Sequence, residues 1–153
     1  MLKLVGPNNS KLKTVCKFTC TEKAIKLSKF MMLFCKTYPC LGVSANQFGI
    51  LERVCVAKTN GKFKSFINPQ IINRSSKTQL SLQEGCLSFP GIRGDIIRPL
   101  SITVTWLTFH NWVEKRHEEI FTGQDAIVLE HEIDHLDGIR CIDKMKNKRY
   151  TNG

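Results

Sequence analysis

The chain has 153 residues and a formal net charge of +10, with 23 lysine and arginine residues against 13 aspartate and glutamate residues. Its hydrophobic fraction of 42% excludes a disordered chain, and its length predicts a single domain over residues 1–153 rather than a multidomain protein. The excess positive charge lies in residues 1–30 and in a basic C-terminal tail, residues 140–153, whereas residues 31–139 are balanced. Basic ends favour contact with a polyanion such as RNA, although lysines that only aid solubility would give the same pattern.

The cysteine content bears on the compartment. Seven cysteines is an odd number, whereas a secreted disulfide scaffold usually has an even number after a leader peptide. No leader is expected, because Gly6 and Pro7 interrupt the first apolar residues, and no apolar run reaches the roughly 18 residues that span a membrane. We therefore expect a cytoplasmic protein without membrane contact, whose reduced cysteines are mostly core residues, with at least one as a metal ligand.

The first half of the chain predicts a helix followed by strands. Apolar residues at spacings of three and four favour a helix over residues 21–38, which Pro39 ends. Residues 51–57 and 65–72 have the composition of strands, and Asn60-Gly61 between them is a typical turn.

The second half predicts two more strands and a second helix. Polar and apolar residues alternate over residues 96–108, and a further strand is expected over residues 112–121 after a turn near His110-Asn111. An apolar stretch then favours a helix over residues 124–137, and Gly138 follows where a glycine commonly ends a helix. Mostly antiparallel strands between helices at the two ends indicate an α+β fold.

The second predicted helix contains the sequence His131-Glu132-Ile133-Asp134-His135. Residues four apart share one face of a helix, so both imidazoles can bind one metal ion. Glu132 lies beside the first of them, where its carboxylate can take a proton from water activated by the metal. Two ordinary surface histidines are the alternative, which the apolar residues 126–129 just before the motif disfavour. The predicted fold is therefore α+β, with short antiparallel strands packed around a central metal-binding helix that carries HExxH.

The third metal ligand has two candidates. Cys141 follows the motif at the spacing HExxHxxGxxC, which mimics a metzincin with cysteine in place of the third histidine. Cys86 lies in Glu84-Gly85-Cys86-Leu87-Ser88, a segment between strands in which Gly85 permits close backbone approach. A metzincin would usually need a larger domain and a downstream Met-turn, but spacing alone does not separate the two cysteines.

Three motifs in order resemble those of the peptide deformylase family. Gly42-Val43-Ser44-Ala45-Asn46-Gln47 is similar to the first motif, Glu84-Gly85-Cys86-Leu87-Ser88 matches the second, and His131-Glu132-Ile133-Asp134-His135 matches the third. The likeness covers roughly residues 1–145. It implies a metal-dependent hydrolase that removes the N-formyl group, as formate, from the N-terminal formyl-methionine of nascent peptides.

The resemblance also implies the metal site and the proton-transfer group. One divalent metal ion would be bound by Cys86, His131 and His135, with Fe²⁺ as the usual ion and Zn²⁺, Ni²⁺ or Co²⁺ as substitutes. Glu132 would act first as general base and then as general acid.

Further roles are carried over from the family to matching positions. The Gln47 side-chain amide and the Leu87 backbone N–H would stabilise the oxyanion, although Gln47 could instead be a turn residue. The backbone of three residues would pair with an extended peptide, namely Leu41, Gly42 and Gly85. Ile127 and Val128 would line, with His131, the pocket for the methionine side chain. These two residues could equally be core residues.

Two residues depart from the first motif of the family. Cys40 stands where the family usually has glycine, and Ser44 stands where it usually has alanine. A buried Ser44 hydroxyl would need a hydrogen-bond partner, and the Cys40 thiol is either an inert packed group or an oxidation-sensitive one. These changes bear on substrate preference more than on catalysis.

The end of the chain resembles the short deformylases of bacteriophages, which lack the long C-terminal helix of many bacterial members. Because that helix helps the family to dock on the ribosome, the basic residues 140–150 could replace it electrostatically. We expect a monomer. Two alternatives stay open: a zinc endopeptidase that uses Cys141 as third ligand, and a basic RNA- or ribosome-associated module with a structural metal site.

Overall fold

A computed structural model describes residues 2–151 of the chain. Its helices are α1 (Thr21–Thr37), α2 (Gly123–Leu136) and the short α3 (Cys141–Lys144). Single 3-10 turns span Ser10–Lys13 and Ala45–Phe48. The strands are β1 (Gly42–Ser44), β2 (Val54–Thr59), β3 (Lys62–Arg74), β4 (Thr78–Cys86), β5 (Phe89–Pro99), β6 (Ser101–His110), β7 (Val113–Thr122) and β8 (Lys146–Tyr150).

The strands form two antiparallel sheets. One sheet has the order β1-β2-β3-β6-β7 and the other has the order β4-β5-β8. β1 and β4 each lie at the edge of their sheet. In the part of the chain described, β1 has a single neighbouring strand, β2, and β4 has a single neighbouring strand, β5. The expected mixture of helices with antiparallel strands is confirmed.

Helix α2 is packed into the core of the molecule. All its residues from Ala126 to Leu136 are buried. Its apolar residues pack against side chains of the larger sheet, among them Phe66, Trp106 and Phe121. Helix α1 packs against the same sheet near β1 and β2, through a cluster that includes Met31, Val43 and Val56. Burial over a whole helix removes water from the polar side chains that it carries.

Several predicted elements are confirmed to within a few residues. The helix over residues 21–38 corresponds to α1, and the helix over residues 124–137 corresponds to α2. The turn at Asn60-Gly61 joins β2 to β3 with φ angles of 50° and 73°. The strand over residues 112–121 is β7, which forms a hairpin with β6.

Two predictions about strands are wrong. The strands are not all short: β1, β2 and β8 have between 3 and 6 residues, but β3 to β7 have between 9 and 13 residues each. Residues 96–108 do not form one strand, because the chain bends at Leu100 between β5 and β6. Pro99 has no N–H with which to continue a ladder, and the Leu100 N–H donates instead to the Lys77 carbonyl at 2.8 Å.

The cysteines in the described region are free thiols, and those at positions 16, 35, 55 and 141 are buried. Burial raises the pKa of the Cys16 thiol to about 11, so it stays protonated and packs as a small apolar group. Cys40 is partly buried. Residues 2–151 contain no helix of the length and hydropathy needed to cross a bilayer.

Gly138 ends α2 in a way that only glycine permits. Its φ angle is +71°, and a Cβ there would lie 2.8 Å from both the carbonyl carbon and the carbonyl oxygen of Lys13. A Gly138→Ala substitution is therefore expected to lower the free energy of unfolding by about 2 kcal/mol or more, measured by urea denaturation. Gly61→Ala is the matched control, because Gly61 has a φ of +73° and no atom within 4 Å. Equal losses in the two variants would show that the contact with Lys13 contributes nothing.

Candidate metal and catalytic site

Two elements, α2 and β4, bring together a thiol and two imidazoles. His131 and His135 are four residues apart on α2, and Cys86 is the last residue of β4. One ligand atom from each of these three residues lies within 4.8 Å of the other two. The Cys86 Sγ is 3.2 Å from the His135 Nε2. Cys141 is not part of this trio, so the structure groups Cys86 rather than Cys141 with the histidines.

The donor atoms of the trio fit a divalent transition metal. The His131 Nδ1 is 2.5 Å from the Glu84 Oε1, which leaves its Nε2 free for a ligand. The Cys86 thiol has a pKa well below its usual value, because the Cys141 thiol donates a hydrogen bond to it and the His135 imidazole lies beside it. One thiolate with two imidazoles is a donor set that Zn²⁺ and Fe²⁺ both accept.

Glu132 is a buried carboxyl beside the trio. Its side chain lies against β1, where the Ser44 Oγ is 2.7 Å from its Oε2. A Cβ at Gly42 would lie 2.7 Å from the Glu132 Oε1, so the absence of a side chain at Gly42 leaves the space that the carboxyl occupies. Burial raises the pKa of Glu132, and the neighbouring imidazoles oppose that effect. A carboxyl with a raised pKa is suited to exchanging a proton with water near neutral pH.

Gln47 is held with its amide N–H₂ towards the same place. Its Oε1 accepts a hydrogen bond from the Ser44 N–H at 2.8 Å, and its Nε2 donates to the Ser88 Oγ at 2.9 Å. The same Nε2 is 3.6 Å from the Cys86 Sγ. The bond to Ser44 stabilises the local turn, which fits the alternative that Gln47 is a turn residue. The same bond also orients the amide nitrogen of Gln47 towards the trio.

A cleft of about 880 Å³ opens beside these groups. Its lining includes all the residues expected to bind substrate and both expected oxyanion donors: Leu41, Gly42, Gln47, Gly85, Leu87, Ile127 and Val128. Ile127 and Val128 are 8% and 7% exposed, and Val128 also belongs to the main core cluster. The expectation of a core role therefore holds for Val128 alongside its place at the cleft.

Comparison with known proteins agrees with this geometry. The family model described as polypeptide deformylase matches residues 1–150. The chain belongs to this family. A curated relative named peptide deformylase, from Chlorobium limicola, is 39% identical over 117 residues, which are 72% of this chain and 60% of the relative. The match thus spans about 60% of the full length of that curated relative.

Solved structures of the family have the same fold. A peptide deformylase from Thermotoga maritima is 30% identical with a TM-score of 0.86, and the match covers 95% of this chain and 98% of that one. A probable peptide deformylase from the synechococcus phage S-SSM7 is also 30% identical, with a TM-score of 0.83 and coverage of 95% and 100%. The similarity to a phage member agrees with the resemblance seen in the sequence.

Sequence reasoning missed a buried ion cluster behind the site. Arg98 on β5 has a fully buried side chain that contacts three carboxylates. Its Nη2 is 2.6 Å from the Glu84 Oε1, and its Nη1 is 2.8 Å from the Asp134 Oδ2 and 3.3 Å from the Glu130 Oε2. Although burial opposes it, hydrogen bonds from His131 and Arg98 hold the pKa of Glu84 well below its usual range. Arg98 thereby keeps the carboxylate that orients His131 ionised.

Removal of Arg98 is expected to destabilise the protein strongly. Arg98→Met leaves three buried carboxylates without their shared cation, so we expect the free energy of unfolding to fall by about 3–5 kcal/mol in urea denaturation. Arg116→Met, at an exposed position on β7, is the matched control and should change the free energy by less than about 0.5 kcal/mol. A loss for Arg98→Met as small as that of the control would contradict the role of the cluster.

Proposed function

We propose that this chain is an amide hydrolase that removes the N-formyl group, as formate, from peptides that begin with formyl-methionine. The observation that carries the proposal is one cleft lined by the Cys86 thiol, the His131 imidazole and the buried Glu132 carboxyl. The His135 imidazole lies beside that thiol, and the deformylase family model matches residues 1–150. The catalytic unit that we propose is a single domain over residues 1–153.

Cys86, His131 and His135 are the proposed ligands of one divalent metal ion. When bound, that ion would act as a Lewis acid. It would lower the pKa of a water molecule at the site and polarise the formyl oxygen of the peptide. Fe²⁺ is the proposed native ion, with Zn²⁺, Ni²⁺ or Co²⁺ as substitutes, because a set of one thiolate and two imidazoles accepts all of them. Glu84 orients His131 by accepting from its Nδ1.

Glu132 is the proposed proton carrier. Its carboxylate takes a proton from the water that attacks the formyl carbon, and the resulting acid gives that proton to the leaving amine. Its burial, and the raised pKa that follows, support this role. The Gln47 Nε2 and the Leu87 N–H are the proposed donors to the oxyanion that forms on the formyl oxygen.

The peptide is proposed to bind as an added strand between two sheet edges. β1 and β4 are edge strands, and both contribute residues to the lining of the cleft. Edge strands present unpaired backbone groups, which an extended peptide can bind through Leu41, Gly42 and Gly85. Ile127 and Val128 are proposed to contact the methionine side chain at the base of the cleft.

Docking on ribosomal RNA is proposed through the basic tail. Strand β8 is exposed along its length and carries Lys146, Lys148 and Arg149. Exposed cations attract phosphates at long range, and salt weakens that attraction. A cytoplasmic monomer is the corresponding proposal for location and assembly.

Mass spectrometry of two peptides incubated with the protein tests the proposed activity against the endopeptidase alternative. The anaerobically purified chain is incubated with formyl-Met-Ala-Ser and with the acetylated peptide of the same sequence. We expect loss of formyl from the first peptide, no change in the second, and intact peptide bonds in both. Cleavage between residues of either peptide would favour an endopeptidase, and no reaction with any formyl peptide would favour a non-catalytic metal module.

A further inference from the structure

Ser44 is a buried polar residue whose hydroxyl lies beside two oxygens of Glu132. It is 0% exposed at the end of β1, and its Oγ is 2.8 Å from the Glu132 carbonyl oxygen and 2.7 Å from the Glu132 Oε2. A buried hydroxyl without a partner is unfavourable, so these two oxygens satisfy it. A hydroxyl has one hydrogen to donate, and either oxygen can accept it.

Gly42, on the same strand, bounds the other side of the carboxyl. Residues two apart on a strand project to the same face, so Gly42 and Ser44 both face α2. A Cβ built on Gly42 would lie only 2.7 Å from the Glu132 Oε1, whereas the Glu132 Oε2 is hydrogen-bonded to Ser44. Gly42 and Ser44 therefore bound the two carboxyl oxygens of Glu132 from β1.

The contact lies on the core side of the carboxyl. Glu132 and Gly42 line the cleft, whereas Ser44 is absent from its lining. The Ser44 hydroxyl therefore acts on a bound peptide through Glu132 rather than by direct contact. When the Ser44 hydroxyl donates to Oε2, the oxygen that is free to exchange a proton is Oε1, beside Gly42.

We propose that Ser44 is a positioning residue, which fixes the orientation of the Glu132 carboxyl for proton transfer through its hydrogen bond to Oε2. The inference rests on the proposed function, because the orientation of Glu132 matters to rate only if Glu132 carries the proton. A fixed orientation acts on the chemical step and leaves peptide affinity unchanged.

Steady-state kinetics of Ser44→Ala test this inference. We expect kcat for formate release to fall roughly tenfold, the factor that loss of one hydrogen bond to a charged group produces, with KM within about twofold of wild type. Ser44→Cys keeps a weak donor of similar size, so its kcat should lie between those of Ser44→Ala and wild type. Metal content, measured by elemental analysis, should be unchanged in both variants.

Ser28→Ala is the matched control. Ser28 is also a buried serine, 7% exposed, and its Oγ donates to the Ala24 carbonyl at 2.7 Å within α1, away from the cleft. It should lower thermal stability without lowering kcat. A wild-type kcat in Ser44→Ala, a loss confined to KM, or an equal loss of kcat in Ser28→Ala would overturn the inference while wild-type activity upholds the proposed function. A wild-type chain that releases no formate would overturn both.

Discussion

Replacement of Glu132 by glutamine is expected to lower kcat for formate release by about 10²–10⁴-fold, the range that loss of a general acid–base group produces. Glutamine has nearly the same shape, and its amide can occupy the space between Gly42 and Ser44. It cannot take a proton from water, because an amide is not a base near neutral pH. The metal ligands are untouched, so metal content by elemental analysis should equal that of wild type.

Glu118→Gln is the matched control for this loss of charge. Glu118 is exposed on β7, away from the cleft, so its substitution should leave kcat unchanged. If Glu132→Gln keeps both its metal and more than about a tenth of the wild-type kcat, Glu132 is not the proton carrier.

Cys86→Ser is expected to remove both bound metal and formate release, whereas Cys141→Ser should keep most of each. A hydroxyl stays protonated near neutral pH, so serine at position 86 leaves only two imidazoles for the ion. Cys141 is buried and contacts the Cys86 thiol rather than belonging to the trio. Serine there still offers an O–H donor to the Cys86 sulfur.

The two cysteine variants control for each other, because each replaces one sulfur by oxygen near the same centre. Metal per chain, activity and melting temperature should be measured on both proteins, purified anaerobically. Metal retained in Cys86→Ser but lost in Cys141→Ser would make Cys141 the third ligand and favour the endopeptidase alternative.

The spacing of His131 and His135 predicted much of the site, because helix periodicity alone brings residues four apart to one face. The third ligand could not be chosen in this way. Cys86 reaches the histidines through the pairing of β4 with β5, and Cys141 reaches the Cys86 thiol through α3. Both are tertiary arrangements that sequence spacing does not encode, so only the resemblance to the family favoured Cys86.

The second sheet was the part of the fold that sequence patterns described least well. Leu80 and Leu82 of β4 are 56% and 70% exposed, so the strand has no buried apolar face for periodicity to detect. β5 contains Arg98, whose charge indicates a solvent-exposed position although its side chain is fully buried. Its burial depends on carboxylates from β4 and α2, which are distant in sequence.

Part of the net charge of +10 lies on an exposed strand of the structure. Basic residues of β8 are exposed at the edge of the smaller sheet, whereas the polar groups lining the proposed site come from elements within residues 31–139. The basic residues of β8 therefore lie outside the proposed site, and contact with a polyanion is our proposal for them. Loss of ribosome binding at raised salt would support that proposal.

Formate release before and after metal removal tests the central claim most directly. The wild-type chain, purified anaerobically, is assayed with formyl-Met-Ala-Ser as isolated, after chelation, and after addition of Fe²⁺ or Zn²⁺. We predict release as isolated, none from the metal-free protein, and recovery when one equivalent of metal is restored. Equal release from protein shown by elemental analysis to be metal-free, or no release from protein with one bound metal, would contradict the account.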